Sequence, residues 1–574
     1  MVMTDVMYDL KITGGLIVDG TGQPAFSGAV GVRDGRIVAV GEVTGSAREE
    51  IDATGKVVCP GFIDIHTHYD AQMLWDPMMT ISPYFGVTTA FIGNCGFGVA
   101  PARPADHERM IRTLEKVEGM PFDSTFTGIE PHWTFETFPE YLDTLDRYEF
   151  GMNVCVLVPH TPVRVYVMGE DADRREANQE EISAMAEIVR TGVEAGAWGF
   201  STSNHRGHIG LNGRLAPSVY ASLDEYRALI LAMSAAGRGT VQAVHGEVLD
   251  YATMAKLSQE TGRNFTSALI TDEQGPGSHH DAEALIEAMQ KQGSRLWPQV
   301  SPRPFVLGFT FLQSNFFSHV GPEAIGAEVL DDLFNEIAQL PDRAAQLTLV
   351  RDPDFQARFV ERTSSPKWSY LFDHTEISEY DPDPSLVTRR IGAIAQQRGV
   401  AASELLLDLA ANSNLQAVFA LVFMNGDDVE VSRVLKRPGV RLGVTDGGAH
   451  VSELNDAGYP AYVLGEWVRK RGLFSIEEAV EMLTSRSASL FGIVDRGTVR
   501  PGFAADLVIF DPATISATPL HRVNDLPQGA ERLVSEPIGI QDVIVNGVPM
   551  IRDGEVIETK LPGALLRSKA PTSH

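Results

Sequence analysis

Between residues 61 and 446 the chain alternates short apolar β-prone runs with amphipathic helical patterns, and this alternation restricts the fold more than any other feature. The runs fall at 61–66, 87–92, 153–159, 199–202, 240–245, 265–271, 296–300 and 442–446. Helical periodicity occupies 179–195, 223–236, 250–261 and 281–292 between several of them. The first of these helices carries Glu180 and Glu181 in its opening turn and ends at Gly196, as the helix dipole and a left-handed C-terminal residue favour. A strand followed by a crossover helix rejoins its sheet in parallel. Eight such units close a (β/α)8 barrel, while a doubly wound open sheet is the alternative that strand counting leaves open.

Both ends of the chain read as β. Runs at 10–12, 16–18, 29–32 and 37–40 are separated by Gly14-Gly15, Asp19-Gly20 and Asp34-Gly35. Runs at 506–510, 543–545 and 555–557 come with the hairpin dipeptides Asn546-Gly547 and Asp553-Gly554. The expected architecture is α/β: a distorted (β/α)8 TIM barrel over 61–496, with a small composite β-sandwich domain built from 1–60 and 497–560. Two stretches exceed a minimal barrel, an insertion at about 98–148 and a larger one at about 301–426. Long connections after strand C-terminal ends usually shape a pocket. The last residues, 561–574, read as a surface extension.

Composition narrows the function. With 47 Lys and Arg against 76 Asp and Glu, the formal charge is −29, which repels phosphate backbones and anionic lipid heads. Nucleic acid and membrane are therefore not expected partners, and no run of 18 apolar residues suggests a membrane span. The cysteines Cys59, Cys95 and Cys155 are too few, and odd in number, for a disulfide framework. A reduced, cytoplasmic setting is expected. The Gly-rich segments at 275–277 and 446–448 do not follow a phosphate-binding pattern, so nucleotide binding is rejected.

The strongest local signal is Pro60-Gly61-Phe62-Ile63-Asp64-Ile65-His66-Thr67-His68. In an extended strand end, residues i and i+2 point the same way, so His66 and His68 can aim two imidazoles at one point. Neutral imidazole is the common ligand for zinc and similar divalent ions. Asp446, at the end of the last expected strand, could take a proton from activated water and pass it to a leaving group.

Three further segments carry a family resemblance. Gly86-Val87-Thr88-Thr89-Ala90-Phe91-Ile92-Gly93-Asn94-Cys95-Gly96, Gly443-Val444-Thr445-Asp446-Gly447-Gly448-Ala449-His450 and the stretch 496–508, together with Pro60 to His68, resemble the amidohydrolase superfamily. The second-strand segment is similar to its D-aminoacylase branch, the N-acyl-D-amino-acid deacylases. The resemblance implies a metal-dependent hydrolase of an amide C–N bond. It implies metal ligation by His66, His68, Cys95, His245 and Asp446, with one or two ions, zinc or another divalent metal. Cys59 and Cys155 read as buried structural thiols.

One departure stands out. The branch carries His-His-Lys at the end of the sixth strand, where this chain has Phe265-Thr266-Ser267-Ala268-Leu269-Ile270-Thr271. A metal histidine and the lysine that holds the substrate carboxylate are both missing. His279 and His280 follow, expected on a solvated loop rather than as replacement ligands. Other pocket candidates are His160, Ser201, Arg206 and His450; Arg206 could replace the lost lysine. Trp297, Phe305, Phe309, Phe311, Phe316 and Phe317 suggest an apolar pocket wall, although residues of this kind are more often core. The substrate is expected to be a small-molecule amide, and a homo-oligomer is compatible with the sequence. Competing readings keep the site as a cyclic amidase, deaminase or ester/lactone hydrolase, or make the barrel a non-catalytic scaffold.

Overall fold

The eight expected runs reappear in order as a ring of short strands. A computed structural model describes residues 7–271, 277–312, 330–451, 456–557 and 561–569. Its barrel strands are β1 (Phe62–Asp64), β2 (Val87–Ile92), β3 (Asn153–Val156, resuming at Val158–Pro159), β4 (Gly199–Ser203), β5 (Thr240–Val244), β6 (Phe265–Ala268), β7 (Leu296–Val300) and β8 (Arg441–Leu442). Neighbours are parallel throughout, with Ile63 opposite Thr89, Phe91 opposite Cys155, Ser201 between Pro159 and Gln242, Gln242 opposite Thr266, Ser267 opposite Pro298 and Val300 opposite Leu442. Beyond β8, Gly447 bridges Thr67 in parallel, and His68 N–H donates to Gly447 O at 2.7 Å. Thr445 Oγ1 lies 2.7 Å from both Asp64 Oδ2 and His66 O. These contacts join the last strand to the first and close the barrel.

β8 is shorter than the sequence suggests, and the backbone says why. Val444 and Asp446 have φ of 55° and 48°, the left-handed region that costs a β-branched residue most. The chain therefore leaves the sheet just as it reaches the pocket.

The surrounding helices form where caps and apolar faces agree. They include α1 (His107–Glu118), α2 (Gln179–Ala195), α3 (Leu223–Ala235), α4 (Tyr251–Thr261), α5 (His280–Lys291) and α6 (Asp428–Leu435). Asn178 and Glu181 form a capping box on α2, and Asp250 caps α4 through Thr253 N–H. Ile182, Met185, Val189 and Val193 of α2 are buried at helical spacing; truncating Met185 to Ala would cost about 2–5 kcal/mol.

One nine-stranded sheet joins the two chain ends, because Leu507–Phe510 pairs antiparallel with Val57–Pro60. Leu10, Ile12, Val30 and Val32 from one end pack with Leu507, Ile509 and Ile544 from the other. The larger insertion builds its own antiparallel sheet from Phe305–Phe309, Val418–Met424 and Glu376–Glu379. Phe305, Phe309 and Phe311 are buried in that insertion's core, so they are not a pocket wall; Phe316 and Phe317 lie outside the described residues. Trp297 is partly buried, with the Arg441 guanidinium 4.8 Å over its ring. The described part of the tail is anchored to the barrel. Gly563 and Leu565 bridge Phe150 and Val154, laying the tail against the start of β3. Among the described residues, no helix is long and apolar enough to cross a membrane.

Candidate active site

The site lies where β1, β2 and β8 end, and each side chain owes its aim to a backbone feature. His66 and His68 stand just beyond β1, on either side of the Thr67–Gly447 bridge, with ring centroids 5.6 Å apart. Cys95 follows β2 in a turn with a left-handed φ of 53°. Gly93 and Gly96 flank it. A Cβ at Gly93 would come 2.5 Å from Leu157 O, and one at Gly96 would come 2.8 Å from Thr202 Cα. Glycine alone lets this turn sit so deep. Cys95 N–H donates to Gln242 Oε1 at 2.6 Å, and Gly96 N–H donates to Ser201 Oγ at 3.1 Å.

These elements bring four potential ligands together. His66 Nε2 lies 3.1 Å from Cys95 Sγ and 3.2 Å from Asp446 Oδ1. His68 Nε2 lies 3.6 Å from Asp446 Oδ1. His66, His68 and Cys95 have ligand atoms all within 4.8 Å of one another. Donors that share one ion at about 2.0–2.3 Å are separated by distances of this order. His66 Nδ1–H donates to Gln299 Oε1 at 2.7 Å, which turns the Nε2 lone pair toward the cluster. Among the described residues, neither buried ring nitrogen of His68 has a hydrogen-bond partner, and an unmet buried polar group costs about 1–3 kcal/mol. A cation among these donors would satisfy Nε2, so the residues fit a divalent metal.

The electrostatics agree. Burial opposes protonation of His66, yet Cys95 and Asp446 outweigh it and raise the imidazole to about 9. Burial likewise opposes charge on His68, and Glu118 leads the groups that raise it well above the usual imidazole range. Burial pushes Asp446 up, but His66 and His68 hold it well below ordinary carboxylates. Burial lifts Glu118 and Asp64 each to about 7 and Asp70 to about 6. Acidic groups crowd a buried pocket that calls for positive charge.

The other expected residues divide. His245 follows β5, with Nδ1 3.1 Å from Tyr251 Oη, whose hydroxyl donates to Ala268 O. It stands outside the tight trio, its ring 6.3 Å from that of His205. His450 Nε2 lies 3.7 Å from Glu118 Oε2, beside the site. Ser201 is buried, and its hydroxyl donates to Gly93 O while accepting from Gly96. It braces the Cys95 turn.

Three expectations are corrected. His160 is fully buried, with Nδ1 2.8 Å from Thr202 Oγ1 and Nε2 2.9 Å from Glu225 Oε1; both nitrogens are used inside the barrel wall, so it cannot polarise a substrate carbonyl. Arg206 is about half exposed (52%) and faces Glu247 at 3.9 Å, so it does not replace the missing lysine. His279 is buried and His280 opens α5, which corrects the solvated loop.

Glu118 escaped the sequence reading. It is the last residue of α1 in the smaller insertion, only 4% exposed, with Oε2 3.6 Å from His68 Nε2. Its backbone carbonyl accepts His450 N–H at 2.6 Å. The available signal was an acid at a helix C-terminus, where the dipole disfavours it by about 0.3–1 kcal/mol.

Comparison with known proteins places these features. Residues 49–551 match the amidohydrolase family. The D-aminoacylase of Alcaligenes xylosoxydans xylosoxydans is 28% identical over 555 residues, 95% of this chain and 94% of that one. A solved D-aminoacylase, described as having a binuclear metal center, is 27% identical with a TM-score of 0.65, covering 98% of this chain and 100% of its own. The N-acyl-D-glutamate deacylase of Bordetella bronchiseptica, solved with zinc and a phosphonate inhibitor, is 26% identical with a TM-score of 0.63 and the same coverage, 98% and 100%.

Proposed function

The chain belongs to the amidohydrolase family and is a metal-dependent hydrolase of carbon–nitrogen bonds other than peptide bonds, and we propose that its substrate is an N-acyl amino acid or a related acyl amide. The convergence of His66, His68, Cys95 and Asp446 on one buried point carries this reading. Zinc suits a thiolate with two imidazoles and a carboxylate. His66, His68, Cys95 and Asp446 would hold one ion, and His245 would serve a second. A bound ion supplies Lewis acidity, making water nucleophilic near neutral pH and polarising the scissile carbonyl.

The protein's own groups do the rest. Asp446 accepts a proton from the attacking water and delivers it to the leaving nitrogen. Gln299 keeps His66 oriented through Nδ1. Gln242 and Ser201 hold the Cys95 turn. Glu118 adds negative charge beside His68, on a pocket that lacks the expected sixth-strand histidine. With no lysine on β6 and Arg206 turned outward, neither expected cation grips a substrate carboxylate. Neutral acyl amides should therefore compete well with N-acyl-D-amino acids. Three free, buried cysteines fit a cytoplasmic setting.

Hydrolysis by the zinc-loaded protein should be screened over N-acyl-D- and N-acyl-L-amino acids, aryl amides and cyclic amides. Turnover of an acyl amide, abolished by chelation and restored by zinc, is the expected result. If no metal co-purifies and added zinc yields no hydrolysis of any of them, the assignment fails.

A further inference from the structure

At the end of the barrel opposite the candidate active site lies a cavity of about 760 Å³. Its walls come from the residues that precede β5, β6 and β7, from the connection that leaves the barrel near residues 490–496, and from the tail at 565–569. A volume of this size suits a small-molecule ligand. In a chain of charge −29, the lining is basic: Arg238, Arg263, Arg295, Arg496, Arg567 and Lys569 against Asp495.

Two of these cations are already neutralised. Arg496 pairs with Asp506 and Asp495, and Arg567 pairs with Asp143 and Asp146. Arg238, Arg263 and Arg295 are different. Arg238 donates to Val193 O and Glu194 O, Arg263 to the hydroxyl and carbonyl of Ser234, and Arg295 to Gly262 O. Among the described residues, none of the three has a carboxylate partner. Arg238 Nε is buried with no hydrogen bond at all. Burial and the neighbouring Arg295 both lower the proton affinity of Arg263, so the cluster is repulsive as it stands. A guanidinium offers five donors, and backbone carbonyls use only some of them here. Leu490, Ile493, Val494 and Leu565 give the same cavity an apolar side.

We propose that this cavity is a second ligand site, for a small organic anion with a phosphate or carboxylate head and an apolar or ring-shaped body. The head is held by Arg238, Arg263 and Arg295, whose planar forks match phosphate and carboxylate geometry. The body lies on the leucine and valine side. The anionic surface elsewhere repels such a ligand, so the positive recess is the place where it collects. Its occupation ties the tail to the barrel floor, because both line the cavity.

Calorimetric titration of the full-length, metal-loaded protein with phenyl phosphate, benzoate and inorganic phosphate tests the site. One-to-one saturable binding of phenyl phosphate or benzoate is expected, tighter than that of inorganic phosphate. Preference for phenyl phosphate assigns a phosphate head, and preference for benzoate a carboxylate head. Arg295→Ser, at an exposed position, and Arg263→Ser should each weaken that binding about tenfold while amide hydrolysis is unchanged. Absence of saturable binding by both aromatic anions would overturn the proposal. So would an affinity unaltered in both variants, which would place the anion elsewhere, including in the active site.

Discussion

Among the described residues, two clusters gather metal-ligand side chains within 4.8 Å, and they are not alike. The first is His66, His68 and Cys95; the second is His279, His280 and Glu430. In the first, the two imidazoles face Cys95, Asp446 and Glu118, and His68 has no hydrogen-bond partner among the described residues. In the second, Glu430 lies 3.1 and 2.8 Å from His279 Nε2 and His280 Nε2, and it also accepts from Arg433 Nε at 3.0 Å. Arg433 Nη2 lies 3.0 Å from His279 Nε2 and bonds Glu283 as well. A guanidinium already occupies the place a cation would take. Proximity of ligand types is thus insufficient; the deciding property is whether the donors lack positive charge.

The contrast is broken most severely at Asp446. Asp446→Asn retains an Oδ1 for the ion and the shape of the turn, but loses the proton acceptor. Turnover should fall about 10²–10⁴-fold, with metal content and thermal unfolding nearly unchanged. Steady-state kinetics beside metal analysis will show this, and near-normal activity would remove Asp446 from the proton transfer. Cys95→Ala removes a donor from the tight trio. Since orienting partners alone are worth 10–100-fold in metal affinity, we expect a loss above about a hundredfold, read by competition with a chromogenic chelator. Unchanged stoichiometry and affinity would make Cys95 a bystander. Glu118→Gln keeps size and hydrogen bonding but removes a charge beside His68. A loss of about tenfold in metal affinity is expected, and none at all would leave Glu118 as packing.

Legibility in the sequence followed the range of the interaction. His66 and His68 were readable because two-residue spacing on a strand end fixes their common side. Asp446 was readable as a carboxylate at the end of an apolar run, whereas Cys95 stood out only through the family resemblance of its Gly-Asn-Cys-Gly segment. The alternation of strands and helices likewise gave the barrel order, apart from the early end of β8, which depends on the left-handed Val444 and Asp446. Glu118 was not readable, since its meeting with His68 and His450 requires the 98–148 insertion to fold back over the site. His160 and Arg206 were misjudged for a similar reason. Position at a strand end does not reveal a partner 65 residues away such as Glu225, nor a side chain turned to solvent. The tail read only as a surface extension because its bridges to Phe150 and Val154 join residues far apart in the sequence.

The second cluster provides the smallest effects, and these sharpen the comparison most. The double change His279→Ala with His280→Ala should leave metal stoichiometry unchanged and turnover within about twofold, since both imidazoles bond Glu430 rather than the Cys95 cluster; loss of one bound ion per chain would make it a true metal site. Its electrostatics also carry a sign that can be checked. The His280 hydrogen bond is the leading cause, with Arg433 adding to it, that lowers the Glu430 carboxyl from 4.5 to about 2. A depressed carboxylate stabilises the native state above its unfolded value and loses that contribution as pH falls from about 4.5 through about 2. Because Glu430 is partly exposed, solvent screening keeps the contribution near that of a surface pair, about 0–1 kcal/mol. Urea unfolding of the wild type and Glu430→Gln at pH 7 and pH 3 should therefore show a small gap at pH 7 that narrows at pH 3. A gap that widens in acid would mean that Glu430 is held by something other than its cationic neighbours, and the distinction between a charge-saturated cluster and a charge-deficient one would fail.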